Sequence, residues 1–167
     1  MQYSGDINSW DAELLTTAEL IDSARERYLG RLIPRFFDVL RQLIDLPGVS
    51  LTYDRGWSAD ASLEDVLAAC REKDFRRGLT HFGPHRADLK VLVNGINAGQ
   101  VLSRGQQKLV VCALRLTQCE LLVEATQRRC LLLVDDLPAE IDEEHQDRLC
   151  GLLDRLDLQL FLTCVNP

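Results

Sequence analysis

The stretch Leu131-Leu132-Leu133-Val134-Asp135-Asp136 constrains this chain more than any other. Four consecutive aliphatic residues read as a short buried strand. Two adjacent carboxylates at its end are costly unless a partner compensates them. Open α/β sheets bind ligands beyond the carboxyl ends of their strands, which is where this pair falls. Magnesium would suit them, because it takes one or two carboxylates and fills its shell with water and phosphate oxygens. The plainer reading is a strand end whose aspartates cap the next helix.

Upstream, Ser103-Arg104-Gly105-Gln106 leads into a helical pattern of Leu109, Val110, Ala113, Leu114, Leu116, Leu121 and Leu122. A helix start presents unpaired N–H groups and the positive end of a dipole, so it attracts anions. Gly105 permits close approach, and Ser103 and Gln106 can both donate hydrogen bonds. Ser followed three residues later by Gln is also a capping box that serves only the helix. On spacing alone the cap is the simpler reading. Downstream, Asp142 opens a helix expected over Glu143–Leu153, and a last strand is expected over Gln159–Val165.

The first third is helical. Leu14, Ala18, Ile21, Tyr28, Leu32, Phe36, Val39 and Leu43 paint one face from Trp10 onward, interrupted by Arg25. Ser9 or Asp11 could cap its start. Pro34 should kink or split the helix. Val49–Tyr53 alternates as a strand. Ser62 and Asp65 open a further helix, and Gly78 closes it. Gly83-Pro84-His85-Arg86 is a basic turn before a strand over Leu89–Val93, which Asn94-Gly95 should fold into a hairpin. Read alone, that turn is structural, with Arg86 and Asp88 satisfying their neighbours.

Leu102–Gln106 (LSRGQ), the Asp135-Asp136 pair and Gly83–Asp88 (GPHRAD) resemble the RecF family of ABC-type ATPase heads. The resemblance implies an α/β fold: the C-terminal lobe of an ABC-type (P-loop NTPase) head over residues 77–167, with part of a helical arm domain over 1–76. It assigns Ser103, Arg104, Gly105 and Gln106 to the signature motif, which contacts the γ-phosphate of ATP held by a partner subunit. Lys108 is a candidate additional phosphate contact. The resemblance makes Asp135 the magnesium-linked carboxylate, acting through a water, and Asp136 the base or water-positioning group. Asp142 becomes the D-loop residue, and His85 and Arg86 candidate phosphate or DNA contacts. Pro138-Ala139 departs from the usual start of the D-loop. The switch position, often His, falls nearest Thr163, which with Asp at 136 implies slow hydrolysis.

No GxxxxGK[ST] cradle for the α/β-phosphates occurs in the chain. The expectation is therefore a C-terminal half whose Walker A lobe is missing, with an open apolar edge and a tendency to self-associate. ATP and Mg2+ belong to the complete protein, and neither is expected to bind this part tightly. The family implies an ATP-dependent homodimer at DNA gaps, acting with RecO and RecR to load RecA. A non-enzymatic protein-interaction module derived from such a head is the alternative. An unrelated two-metal nuclease fits poorly, because no further acids are spaced to complete its site.

The net charge of −7 argues against this part being the main DNA-gripping surface, despite basic clusters at Arg25–Arg35 and Arg71–Arg77. The six cysteines form no CxxC pair, which argues against a zinc site or disulfide framework. No apolar run approaches the roughly 20 residues of a membrane span. A polar, acidic start points to the cytoplasm.

Overall fold

The computed structural model describes residues 4–135, 141–156 and 158–163. Helix α1 spans Ser4–Leu43 without interruption, so Pro34 does not split it. Proline removes one hydrogen bond to the carbonyl four residues back and presses its ring on that carbonyl. Here that carbonyl belongs to Gly30, around whose missing Cβ nothing lies within 4 Å, so the turn has room to adjust. Ser9 and Asp11 lie inside the helix, and Asp11 instead pairs with Arg71 at 2.6 Å. The chain forms two units: residues 1–29 with 51–91, and residues 30–50 with 92–167. Helix α1 contributes to both.

Strand β1 (Val49–Asp54), β2 (Asp88–Val93) and β3 (Ile96–Asn97) form a sheet in that order. Strands β2 and β3 are antiparallel, with Val93 opposite Ile96. Asn94 and Gly95 between them both have positive φ, as a two-residue hairpin turn requires.

The core of the first unit is Ala18, Trp57, Leu63 and Leu67, with Leu14, Leu15, Val66 and Phe82 packed against it. Helix α2 (Leu63–Arg77) supplies three of these. Ser62 caps its start by accepting from the Asp65 N–H at 3.0 Å, and Gly78 closes it at φ 64°.

In the second unit, α3 (Ala98–Val101) is a single turn before α4 (Arg104–Thr126). Helix α4 buries Leu109, Val110, Ala113, Leu116, Thr117 and Leu121. The Thr117 hydroxyl is satisfied by the Ala113 carbonyl at 2.8 Å. Leu122, expected on the buried face, is 53% exposed. It follows Leu121 by one residue, about 100° further round the helix. From α1, Leu32, Phe36, Leu40 and Leu43 are buried, and Arg31 and Arg35 pair with Glu124 of α4. Helix α5 (Glu143–Arg155) buries Leu149, Leu152 and Leu153, and its Arg148 donates to the Leu43 carbonyl at 3.4 Å.

Strands β4 (Leu131–Val134) and β5 (Gln159–Leu162) are parallel, with Leu131 opposite Gln159 and Val134 opposite Leu162. The expectation of a buried β4 holds only in part. Leu132 and Val134 are half-buried, but Leu131 is 57% and Leu133 70% exposed. Successive side chains of a strand face opposite ways, and one face of this small sheet is open. Phe161, paired with Leu133, is exposed on that same face. No described helix is long and apolar enough to cross a membrane.

Two glycines separate torsional strain from steric contact. At Gly78 an added Cβ meets nothing, so Gly78→Ala should cost only the left-handed penalty of roughly 1–2 kcal/mol. At Gly56, with φ 95°, the Cβ would stand 2.2 Å from the Gly83 carbonyl oxygen. Urea denaturation should show Gly56→Ala as clearly the more destabilising. Equal losses would contradict the close approach of these two loops.

Candidate functional site

The start of α4 is built by reciprocal hydrogen bonds. The Ser103 hydroxyl accepts from the Gln106 N–H at 3.3 Å, and the Gln106 side-chain oxygen accepts from the Ser103 N–H at 3.0 Å. This is a complete capping box. Both side chains act in it as acceptors only. The Ser103 hydroxyl hydrogen and the Gln106 NH2 are not consumed, so the cap and an anion-facing role are compatible. Ser103 and Arg104 are exposed at this end. Gln107 carries no motif signal in the sequence. Its amide nitrogen donates to the Leu102 carbonyl at 2.8 Å and reaches the Gly99 carbonyl at 3.5 Å. It thereby ties the junction between α3 and α4 on which Ser103 sits.

The parallel ladder brings together two residues far apart in sequence. The Thr163 N–H donates to the Val134 carbonyl at 3.0 Å, one step beyond the last strand pair. The Thr163 hydroxyl then donates to Asp135 Oδ1. A pocket of about 270 Å³ lies beside them, lined by Leu132–Asp135, by Leu149 and Leu153 of α5, and by Lys108, Cys112 and Arg115 of α4. Lys108 and Arg115 therefore bring positive charge to the pocket that Asp135 borders. Arg115 was not singled out from the sequence. The available signal is its spacing, since residues seven apart share a helix face after two turns. Burial pushes the Cys112 thiol pKa up, against the opposing pull of Lys108.

Asp136 and Pro138–Glu140 lie outside the described residues. Among the described residues no group of three or more His, Cys, Asp or Glu side chains could hold a metal. With one Asp135 oxygen engaged by Thr163, the other suits a single, water-mediated link to a hard cation, which is how magnesium is commonly held.

Asp142 is the N-cap of α5. It accepts from the His145 N–H at 3.0 Å and lies 2.6 Å from His145 Nδ1. The His145 backbone N–H first, and its ring second, hold the Asp142 carboxyl below its usual range.

In the first unit, Pro84–Arg86 forms one turn of 3-10 helix. The Gly83 N–H donates to the Gly56 carbonyl at 3.1 Å, and the Arg86 N–H to the Gly83 carbonyl at 2.9 Å. His85 Nε2 lies 3.0 Å from the Thr80 carbonyl. His85 and Arg86 are exposed, and Arg86 has no charged partner among the described residues. The purely structural reading of this arginine therefore finds no ion pair to support it.

A parallel strand pair carrying Asp135 at its end, beside a helix whose start is the capped SRGQ turn, defines the C-terminal lobe of an ABC-type ATPase head. The comparisons agree. The chain is 48% identical over 159 residues to the DNA replication and repair protein RecF of Pseudomonas paraeruginosa, covering 95% of this chain and 43% of that one. It is 49% identical over 158 residues to RecF of Stutzerimonas stutzeri and of Azotobacter vinelandii, with the same coverage. A solved structure of the recombination mediator protein RecF with ATP, in the RecFOR pathway, superposes with a TM-score of 0.78. It covers 99% of this chain and 47% of that one at 22% identity, a likeness of fold. A structure of an Smc head bound to the C-terminal winged-helix domain of ScpA gives a TM-score of 0.50 at 13% identity over 84% of this chain and 36% of that one. No family model matches the sequence. The chain thus matches the C-terminal half of RecF proteins over 95% of its own length, and spans less than half the length of these relatives.

The Asp142 cap gives a pH test. A carboxyl whose folded pKa is depressed contributes stability that is present above its ordinary value of 3.8 and lost as pH falls through the lower folded value. Amide exchange in the first turn of α5 should therefore accelerate as pH falls below the usual aspartate range, after correction for intrinsic rates. Asp142→Asn, which keeps an acceptor, should remove that dependence. An identical profile in the variant would assign the dependence to another group.

Proposed function

We propose that this chain supplies the signature turn and the Walker B carboxylates to the composite, dimeric ATP site of a RecF-type DNA-repair protein. The observation that carries the reading is the placement of Asp135 at the end of β4. There it is bonded to Thr163 and borders the pocket that Lys108 and Arg115 also line. In this reading the Ser103 hydroxyl and Gln106 amide donate to the γ-phosphate of ATP bound by the partner, and Arg104 and Gly105 shape the approach. Asp135 holds Mg2+ through a water, and Asp136 positions the attacking water. Thr163 keeps Asp135 oriented from the switch position. Asp142 fixes the start of α5 and faces the dimer interface. Bound magnesium would supply charge neutralisation for the transferring phosphoryl group.

The structural neighbours bear the names RecF-ATP and RecF with an ATP analogue, which supports ATP as the nucleotide of the complete protein. Residues 1–76 belong to the helical arm and 77–167 to the head lobe. The Walker A lobe covers the open face of β4 and β5, where Leu131, Leu133 and Phe161 are exposed. The complete protein dimerises with ATP, binds DNA at gaps, and works in the cytoplasm with RecO and RecR to load RecA. Hydrolysis is slow, in keeping with Asp at 136 and Thr at 163.

Fluorescent-ATP binding with magnesium tests this division of labour. The chain alone should bind weakly. Adding the N-terminal portion of a RecF relative should restore binding and dimerisation, and Asp135→Ala should abolish the ATP-dependent dimer. Unchanged dimerisation in Asp135→Ala would favour a non-enzymatic interaction module. Tight binding by the chain alone would overturn the composite site.

The exposed sheet face gives a separate outcome. Sedimentation velocity should show the isolated chain self-associating with rising concentration, and Leu133→Lys should suppress this. A monomer at all concentrations would show that the open face needs no cover.

A further inference from the structure

Arg25 breaks the apolar face of α1, and its surroundings give it a purpose. Its guanidinium donates to the Pro84 carbonyl at 2.6 Å, inside the Gly83–Arg86 turn. It also meets the hydroxyl of Tyr53, which in turn donates to Asp22 at 3.0 Å. Asp22 is only 4% exposed and is paired with Arg55 at 2.6 Å. Arg55 stacks over the Trp57 ring at 4.1 Å. A continuous polar path therefore runs from the turn through Arg25 and Tyr53 to a buried ion pair. Burial first, and the Asp22 acceptor second, push the Tyr53 phenol pKa up, while Arg25 opposes them. The other side of the turn is closed by backbone, where Gly56 and Gly83 approach too closely for a Cβ. His85 is tied to the Thr80 carbonyl. Arg86 remains exposed, on a turn held from three directions.

We propose that Arg25 is a positioning residue that locks the Gly83–Arg86 turn, so that Arg86 meets a nucleic-acid phosphate as a preorganised single contact. The chemistry follows from what the turn displays: one solvent-facing guanidinium without a charged partner among the described residues, on a frame that loses little entropy on binding. Arg25 does not touch the nucleic acid; it acts through the Pro84 carbonyl. The phosphate contact rests on the DNA-repair reading above, whereas the locking of the turn does not.

Two measurements on the 167-residue chain separate these parts. Hydrogen exchange at the amides of Gly83, Arg86 and Ala87 should rise by about an order of magnitude in Arg25→Met while α2 keeps its protection. Arg25→Lys, which can still donate to Pro84, should restore most of it. Unchanged exchange at the turn, or a uniform rise across the first unit, would overturn the positioning role.

The second measurement is the salt dependence of binding to a fluorescein-labelled gapped DNA duplex. Losing one phosphate contact lowers the slope of log K against log salt by about one. Arg86→Ala and Arg25→Met should each lower it by that amount, and the double variant should lower it no further. A double variant that loses about two would make Arg25 a direct contact and overturn the proposal. An unchanged slope in Arg86→Ala would sink the DNA role of Arg86, leaving exchange at the turn to judge Arg25.

Discussion

The parallel ladder between β4 and β5 decides where the chemistry of the second unit lies. Its register sets Val134 opposite Leu162, and one further backbone bond from Thr163 carries it past the strand ends. That bond places a hydroxyl against Asp135. A carboxylate at a strand end is expensive to hold in one orientation without a donor. The ladder supplies the donor at no cost in side-chain reach. Slipping the register by one residue would turn every side chain of β5 to the other face and carry Thr163 away. The pocket beside Asp135 depends on the same geometry, because β4 forms one of its walls.

Four of the described helices begin with side-chain caps: Asn97 opens α3 by accepting from the Gly99 N–H at 2.9 Å, and the other three differ in what else they do. Ser62 closes a local loop with Asp65, accepting from its N–H and donating to its carboxylate. Ser103 and Gln106 satisfy each other as acceptors and keep their donor hydrogens for another partner. Asp142 recruits the ring of His145 as well as its backbone. The Ser103 cap keeps donor hydrogens at the exposed start of a 23-residue helix, an arrangement that suits an anion. A capping box and a phosphate-facing turn are therefore compatible in one structure.

The open face of β4 and β5 is the counterpart of that site. Parallel sheets are ordinarily covered on both faces, yet Leu131, Leu133 and Phe161 are exposed here. Helices α4 and α5 line the pocket together with β4. Asp135, just past the end of β4, and a bare apolar surface thus belong to the same strand pair, which fits a lobe that works with a second layer.

Much of this was legible in the sequence because it is local. Ser62 with Asp65, Gly78, Asn94-Gly95, Ser103 with Gln106, and Asp142 before its helix all act within a few residues, where spacing and backbone chemistry suffice. The DD pair and LSRGQ also marked the family without any coordinates. Other features depended on non-local packing. Pro34 looked like a break, but a helix held by tertiary contacts tolerates one lost hydrogen bond. Leu131 and Leu133 looked buried because an aliphatic run does not say what covers it. Arg25 looked like a fault in an apolar face, since its partners Tyr53 and Pro84 lie far along the chain. Sequence alone determined where helices start, where the chain turns and which carboxylates and donors are present. Only the tertiary structure decided which of them meet, because Thr163 with Asp135 and Arg25 with Pro84 are joined by strand register and loop contact, which no local pattern encodes.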